Sequence, residues 1–263
     1  MSSPPAAANS ALRSRRFNDD PHPRFWWHKL HGTDYVPPIY AMLTDEEWAV
    51  MEAWYAATFE ADVIGEINVP AMSLIQGFIC GGGLTRITQL GHYFGYSTLL
   101  IGFWLRYMDQ GGKLVTIDID PVATGFAHQW VVERAGLGEW VEFRLCDSAS
   151  DVAVRESRAV FGSMPQLILL DSSHQYDHTL RELDRWVPEM VPHSLMLLHD
   201  TSHYARSFDA KGRGGVQQAL DDWVRRHPRE VEVANLNRRV GEPGAFPYPV
   251  YQDGCGMGIL QKL

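Results

Sequence analysis

Apolar side chains first recur at helical spacing between residues 44 and 83. Thr44 and Glu47 form a capping-box pattern, which is typical of a helix N-terminus. The apolar positions that follow this pattern are Trp48, Met51, Trp54, Tyr55 and Phe59. They predict an amphipathic helix that ends near residue 62, and Pro70 with the glycines at 81–83 brackets a second apolar helix.

Beyond residue 83 the pattern changes to short apolar runs that alternate with amphipathic segments. The apolar runs predict strands at 86–90, 113–118, 140–145, 166–171, 194–199, 231–235 and 256–261. The amphipathic segments predict helices at 96–107, 122–134, 149–160, 177–190 and 215–226. Because strands separated by helices form βαβ units, we expect an α/β fold with a parallel sheet.

The 263 residues divide into three regions of different composition. Residues 1–20 hold almost no large apolar side chains, and we expect them to form a flexible tail. Residues 21–83 are rich in aromatic side chains and are predicted to form a helical cap, whereas residues 84–263 carry the strands. A chain of this length has room for one sizeable core, so we predict one α/β unit with a decoration.

Charge and cysteine content exclude several classes of protein. Lys and Arg number 23 against 32 Asp and Glu, and the net charge of −9 argues against nucleic acid and anionic lipid as partners. The three cysteines are never in a C-x-x-C arrangement, so neither a disulfide framework nor a zinc site is indicated. The apolar runs are shorter than the roughly 20 residues that cross a bilayer. These features predict a cytoplasmic protein without membrane contact.

Residues with binding chemistry stand where the predicted strands end. Gly91 and Gly95 lie between the first strand and its helix, where the backbone can approach a ligand and free N–H groups attract a negative group. Asp118 ends the second strand, where a carboxylate can accept both hydroxyls of a ribose. The alternative role for such an acid is helix capping, which suits Asp120 better than Asp118.

The third predicted strand runs into Asp147 and Ser148, whose short polar side chains suit an adenine edge. A glycine loop, a ribose acid and an adenine-facing pair, in this order, are typical of a nucleoside-binding half-sheet. The glycine spacing is G-x-x-x-G and lacks the G-x-G-x-x-G of a dinucleotide site. An NAD-dependent oxidoreductase is nevertheless an alternative, because Asp118 after a glycine turn also suits the ribose of NAD.

Four strings between about residues 85 and 201 resemble class I S-adenosylmethionine-dependent methyltransferases. LGHYFGYS at 90–97 and VTID at 115–118 are similar to catechol O-methyltransferase-like enzymes. LLDSSHQY at 169–176 and LLHDT at 197–201 resemble bacterial natural-product methyltransferases related to cephalosporin hydroxylases and macrolide-sugar O-methyltransferases. The resemblance implies a Rossmann-like sheet of seven strands, mostly parallel with an antiparallel last strand, and S-adenosylmethionine as cofactor.

The same resemblance implies cofactor-binding roles residue by residue. It implies that the methionine moiety is held by Gly91, Tyr96 and Ser97. It also implies that Asp118 binds the ribose hydroxyls and that Asp147 and Ser148 contact the adenine. We also place Gln89 and Asp171 at the cofactor. Many relatives carry an acid where this chain has Gln89, whose amide accepts a hydrogen bond but supplies no charge.

Two acids predict a metal site. Asp171 and Asp200 end two strands separated by one helical crossover, so we expect their carboxylates to meet at the C-terminal edge of the sheet. Such a pair suits Mg²⁺, and metal-dependent relatives add an Asn or Glu near the second acid. This chain has His199 and Thr201 there. A Mg²⁺ ion on Asp171 and Asp200 is therefore one expectation, and a metal-free site is the alternative.

His174 is the candidate general base, with Asp171 as its catalytic neighbour. It lies three residues after Asp171, so we expect both in one crevice. An imidazole with a pKa of about 6.5 is suited to take a proton from a hydroxyl or an ammonium group. In the resembling sugar O-methyltransferases this histidine is the proposed base. His178 and His203 are weaker candidates.

The function that the resemblance implies is methyl transfer to O or N of a small molecule. The acceptor is expected to be a sugar- or amino-acid-derived secondary metabolite, as in antibiotic biosynthesis. Aromatic N-terminal helices in such enzymes often form subunit contacts, so a homo-oligomer is expected. The second alternative is a cofactor-binding scaffold without catalysis, because Gln89, His199 and Thr201 depart from the family pattern.

Overall fold

The computed structural model describes residues 36–63, 65–245 and 253–263. The predicted tail at 1–20 and the part of the predicted cap before residue 36 lie outside the described residues. Within the described ranges, no helix has the length and apolar character needed to cross a bilayer.

The described part of the cap contains three helices: α1 (Pro38–Ala41), α2 (Asp45–Glu60) and α3 (Val69–Gly82). The predicted capping box is confirmed, because Thr44 Oγ1 accepts from the Glu47 N–H while Glu47 Oε2 accepts from the Thr44 N–H. Helix α3 begins after Asn68, whose side-chain oxygen accepts from the N–H of Ala71. Phe59 departs from the predicted apolar face of α2, since its side chain is about half exposed.

In the part of the chain that the structure describes, seven strands form one sheet. They are β1 (Arg86–Leu90), β2 (Lys113–Asp118), β3 (Val141–Leu145), β4 (Leu167–Leu170), β5 (Leu195–His199), β6 (Val231–Leu236) and β7 (Met257–Lys262). Their order is β3-β2-β1-β4-β5-β7-β6. β7 runs antiparallel to both of its neighbours, and the other pairs are parallel. The predicted Rossmann-like sheet with an antiparallel last strand is confirmed.

Helices connect the strands much as predicted. They are α4 (Tyr96–Met108), α5 (Pro121–His128), α6 (Asp151–Phe161), α7 (Tyr176–Trp186) and α8 (Gly215–Arg226). The predicted helix 122–134 changes to π-helical geometry at Gln129–Arg134. The predicted helix 177–190 ends early in a 3₁₀ turn, Val187–Glu189, because Pro188 has no N–H to continue the α-helical pattern. A 3₁₀ segment at Tyr204–Phe208 was not predicted.

Both faces of the sheet are buried. On one face, α4 and the cap helices share a single apolar cluster with the strands, which includes Trp54, Met72 and Leu169. On the other face, α6, α7 and α8 pack through residues such as Leu183 and Trp223. Strands covered on both faces read as continuous apolar runs, which explains the sequence LILL of β4. Cap and sheet therefore share one hydrophobic core.

The strand order places the site. From β1 the chain moves outward through β2 to β3, and then returns to β4 on the other side of β1. Open α/β sheets bind ligands outside the carboxyl ends of the strands at such a reversal. Gly91, Asp118 and Asp171 stand at the ends of β1, β2 and β4, beside this crevice.

Candidate active site

The loop of residues 91–95 connects β1 to α4 and approaches the end of β4 closely. Gly91 has a φ of 86°, and a Cβ on this residue would overlap the backbone oxygen of Asp171. Gly95, with a φ of 94°, is the N-cap of α4. The N–H groups of the first turn of a helix have no partner within the helix, so this end of α4 can bind a negatively charged group.

Gln89 lies beneath the glycine loop and is fully buried. Its Nε2 donates to the Gly91 oxygen at 2.9 Å and to Ser97 Oγ at 2.7 Å, and its Oε1 accepts from Thr98 Oγ1 at 3.1 Å. The Gln89 amide makes its hydrogen bonds to the protein itself, and the cofactor contact expected of Gln89 stays a prediction. Gln89 positions the loop and Ser97.

Asp118 holds the same loop from the end of β2. Its Oδ2 accepts from the N–H groups of His92 and Tyr93, each at 3.0 Å, and its Oδ1 accepts from the N–H of Asp120 at 3.0 Å. Burial raises the pKa of this carboxyl, but the backbone donors and His92 outweigh burial and bring the pKa below its usual value. The capping role falls to Asp120, as expected, since its Oδ1 accepts from two first-turn N–H groups of α5.

The two polar residues after β3 face different ways. The carboxylate of Asp147 borders the crevice, 3.9 Å from His178 Nε2 and 3.7 Å from Arg181 Nη1. The Ser148 hydroxyl donates inward, to Glu182 Oε1 at 2.5 Å, and Ser148 is buried. Of the two side chains, that of Asp147 borders the cavity, and the adenine contact expected of both residues stays a prediction.

These elements enclose a cavity of about 340 Å³. The predicted site residues on its walls are Gly91, Tyr96, Ser97, Asp118, Asp147, Asp171 and His174. The cap contributes Trp54, Glu66 and Ile67. A volume of this size lies at the small end of the range, roughly 300 to 1,000 Å³, that small-molecule sites occupy.

His174 and Asp200 form a close pair at one end of the cavity. His174 Nδ1 lies 2.5 Å from Asp200 Oδ2, and both residues have a positive φ, of 57° and 62°. Burial lowers the pKa of His174, but the hydrogen bond to Asp200 and its charge outweigh burial and raise the pKa above 6.5. Since Nδ1 is committed to Asp200, Nε2 is the ring atom that can accept a proton from a ligand.

His199, at the end of β5, lies behind this pair. Its Nδ1 is 3.3 Å from Asp171 Oδ1 and 3.4 Å from Asp200 Oδ1, and its Nε2 is 3.7 Å from Asp253 Oδ1. Burial lowers the pKa of His199, but the surrounding carboxylates raise it well above its usual value of 6.5. The surrounding acids therefore favour the protonated, positively charged form of the His199 ring.

The same contacts test the expected Mg²⁺ site. Mg²⁺ requires oxygen ligands in octahedral geometry. Asp171 Oδ1 faces the ring of His199, and Asp200 Oδ2 is taken by His174. The Thr201 hydroxyl points away from both acids and donates to Asn235 Oδ1 at 3.0 Å. This donor set does not fit Mg²⁺, because imidazole nitrogens face three of the four carboxylate oxygens of Asp171 and Asp200 and stand where the ion needs further oxygen ligands. Mg²⁺ stays a prediction without support from these contacts.

Among the residues of the site that the sequence did not predict as members of it are Glu66, His199 and Asp253. The sequence contained an indication for His199, because this residue ends a strand and directly precedes Asp200. Asp253 had none, because its place depends on a hydrogen bond at 2.8 Å from Asn68, which lies 185 positions away in the sequence. Glu66 stands between helices of the cap, outside any pattern.

Residues 88–201 match a protein family described as a methyltransferase domain. The chain shows no match among curated proteins. The match at 88–201 and the strand order both agree with the fold of class I S-adenosylmethionine-dependent methyltransferases.

Solved structures share the fold at low sequence identity. An O-methyltransferase from Bacillus cereus in complex with SAH has 17% identity and a TM-score of 0.60, over 84% of this chain and 93% of that one. The O-methyltransferase TomG from Streptomyces achromogenes, involved in tomaymycin synthesis and in complex with SAM, has 15% identity and a TM-score of 0.60, over 81% and 89%. SAH-bound PaMTH1 from Podospora anserina has 16% identity and a TM-score of 0.57, over 84% and 89%.

Proposed function

We propose that this protein transfers a methyl group from S-adenosylmethionine to a hydroxyl group of a small molecule, with His174 as the general base. The observation that carries the proposal is that His174, which pairs with Asp200, borders the same cavity as the glycine loop. Oxygen is favoured over nitrogen as the acceptor because similar structures are O-methyltransferases.

The cavity walls suit each part of the cofactor. The first-turn N–H groups of α4 favour the methionine carboxylate, since a helix N-terminus attracts negative charge. Asp171 borders the same end and favours the ammonium group. Asp118 accepts ribose hydroxyls, and Asp147 meets the adenine edge. Gly91 lets the loop lie directly against the backbone of Asp171 and Ser172, because a Cβ there would overlap both residues.

When bound, S-adenosylmethionine supplies a methyl group on a positively charged sulfur, which keeps the electron pair of the broken C–S bond. His174 Nε2 takes the proton that the acceptor hydroxyl loses as its oxygen bonds the methyl carbon. Asp200, on Nδ1, orients the ring and stabilises the imidazolium that forms, the role of the acid in other acid–histidine pairs. The remaining residues hold both molecules in line and exclude water.

The finer features of the prediction belong to the same proposal. We take the acceptor to be a secondary metabolite of the antibiotic type, a choice that agrees with the role of TomG in tomaymycin synthesis. A homo-oligomer in the cytoplasm and the division into a tail, a cap at 21–83 and a catalytic unit at 84–263 stay predictions.

The base assignment is tested by turnover. With radiolabelled S-adenosylmethionine and a panel of hydroxylated small molecules, His174→Gln should lower the rate on an accepted substrate by about 10²- to 10⁴-fold, the usual contribution of a general base. The matched control is His203→Gln, which removes a histidine that does not border the cavity and should leave the rate unchanged. A wild-type rate in His174→Gln would remove the base assignment. Cofactor binding without turnover on any acceptor would favour the scaffold alternative.

A further inference from the structure

His199 is enclosed by acidic groups at the C-terminal ends of β4 and β5. Its ring nitrogens lie 3.3 Å from Asp171, 3.4 Å from Asp200 and 3.7 Å from Asp253. The side chains of Asp200 and Asp253 are only 4% and 0% exposed. Carboxylates withdrawn from water in this way are stable only when a positive charge or several hydrogen bonds compensate them.

Few groups can supply that charge. Of the three acids, Asp200 is the one that forms an ion pair with His174. Asp253 accepts a hydrogen bond from the neutral amide of Asn68. Cys255 lies beside the cluster, and burial raises the pKa of its thiol to about 12, so the thiol is uncharged. Among residues 36–63, 65–245 and 253–263, His199 is the group that reaches all three carboxylates.

Two buried atoms also indicate a charged ring. His199 Nε2 and Asp253 Oδ2 are buried without a hydrogen-bond partner among the described residues, although the ring and this carboxylate face each other. A neutral imidazole carries one N–H and can donate to one side only. An imidazolium carries an N–H on each nitrogen, so it directs one donor at Asp171 and Asp200 and the other at Asp253.

We propose that His199, as an imidazolium ion, takes the position between Asp171 and Asp200 that a divalent cation would otherwise hold, so that the protein works without a metal ion. The positive ring compensates the strand-end acids and leaves Asp200 Oδ2 to orient His174. The third neighbour, Asp253, contacts the His199 ring at Nε2, on the side opposite Asp171 and Asp200.

The proposal limits the acceptor in a way that rests on the proposed methyl transfer. A metal at this position would hold an acceptor through its oxygen atoms, and a neighbouring pair of oxygens would bind best. With His199 in its place, a single hydroxyl beside His174 suffices. The acceptor class therefore includes molecules with one isolated hydroxyl group.

Metal titration of the wild-type protein tests the assignment without reference to activity. After treatment with EDTA and dialysis, isothermal titration with MnCl₂ and with MgCl₂ should give no saturable binding. Methyl transfer, once an acceptor is known, should be unchanged by EDTA. One-to-one binding of Mn²⁺ that Asp200→Asn abolishes, or activity that EDTA removes and Mg²⁺ restores, would overturn the proposal.

A charge-removing variant gives the complementary result. His199→Asn should lower the melting temperature and gain Mn²⁺ binding, because the acids then lack their cation, and Mn²⁺ should restore part of the lost stability. His227→Asn is the matched control, since that ring stacks on Trp223 away from the cluster. If His199→Asn does not fold, nitrogen NMR of the wild-type histidines decides: a buried ring protonated on both nitrogens at pH 8 supports the proposal, and its absence contradicts it.

A protein that binds no Mn²⁺ and methylates no acceptor would refute the proposed function while the cation assignment stands. Conversely, methyl transfer that depends on Mg²⁺ would refute the cation assignment and leave the proposed function intact.

Discussion

The carboxylate of Asp118 accepts from three backbone N–H groups, so the acid expected to meet a ribose also fixes the loop beside it. Gln89 fixes the same loop from below through Gly91 and Ser97. The residues that shape the cofactor end of the cavity are thus tied to one another before any ligand arrives, which reduces the entropy lost on binding.

Gly91→Ala should abolish cofactor binding. A methyl group there would overlap the backbone of Asp171 and Ser172, and the φ of 86° is already unfavourable for any residue with a Cβ. We expect a loss of S-adenosylhomocysteine binding in calorimetry together with a lower melting temperature. Gly125→Ala, in open space on α5, is the control and should bind normally. Normal affinity in Gly91→Ala would show that the loop can move away from β4.

His92 should make the protein sensitive to acid. The ring is buried between Thr116 and Thr124, and burial lowers its pKa to about 4 despite the nearby acids Asp118 and Asp120. In the unfolded chain this histidine has a pKa of about 6.5, so as the pH falls it is protonated there before it is protonated in the folded protein. The free energy of unfolding therefore falls as the pH drops from about 6.5 towards 4. At about 1.4 kcal/mol per pKa unit, the loss is on the order of 3 kcal/mol.

Urea unfolding at pH 7 and pH 4.5 measures this effect. His92→Gln, which keeps a donor and an acceptor but does not titrate, should lose less stability between the two pH values than the wild type. His128→Gln, at an exposed histidine, should behave like the wild type. Equal losses in wild type and His92→Gln would contradict the assignment.

Single residues were predictable where a local string determines their place. Gly91, Asp118 and His174 each follow or end a strand, so the strand order alone brings them to the crevice. Ser148 and Gln89 were harder, because the direction of a side chain depends on partners from other elements, such as Glu182 on α7 for Ser148. The contact of His199 with Asp253 depends on a loop that sequence patterns do not place.

At the scale of elements, helix α2 of the cap supports the glycine loop. Trp54 Nε1 donates to the backbone oxygen of Phe94 at 2.9 Å, and the Trp54 ring borders the cavity. The predicted cap is therefore part of the site as well as of the core. Asn68, at the start of α3, adds a second link through Asp253.

Trp54→Phe should weaken cofactor binding through this link. The variant loses one hydrogen bond to the loop, worth about 1 kcal/mol, so the affinity for S-adenosylhomocysteine should fall roughly fivefold. Trp223→Phe is the matched control, because it loses a comparable bond to Asp184 on the opposite face of the sheet. It should lower stability without changing affinity. If both variants bind S-adenosylhomocysteine with the same affinity, the hydrogen bond from Trp54 does not contribute to cofactor binding.

The strands were predicted nearly to the residue because buried parallel strands are continuous apolar runs. Helix ends were less regular. The π-helical geometry at Gln129–Arg134 and the 3₁₀ segment at Tyr204–Phe208 leave no distinct apolar period in the sequence. Their conformations are set by tertiary contacts, which a pattern along the chain does not contain.

At the scale of the whole molecule, the acids at the carboxyl ends of the strands gather at one edge of the sheet. Asp118, Asp147 and Asp171 border the cavity, where the proposed function places a cofactor with two positive groups. Asp200 was expected to stand with them, but it is buried behind them and pairs with two imidazoles. The cap encloses the same cavity and shares the core of the sheet, so fold and site form one unit.

The measurement that tests this account most directly is isothermal titration of S-adenosylhomocysteine and of NAD into the purified protein. We predict saturable one-to-one binding of S-adenosylhomocysteine and none of NAD. Asp118→Asn should weaken that binding by about tenfold or more, the equivalent of at least 1.4 kcal/mol, while Asp120→Asn, at the neighbouring helix cap, should not. Binding of NAD without binding of S-adenosylhomocysteine would contradict the account.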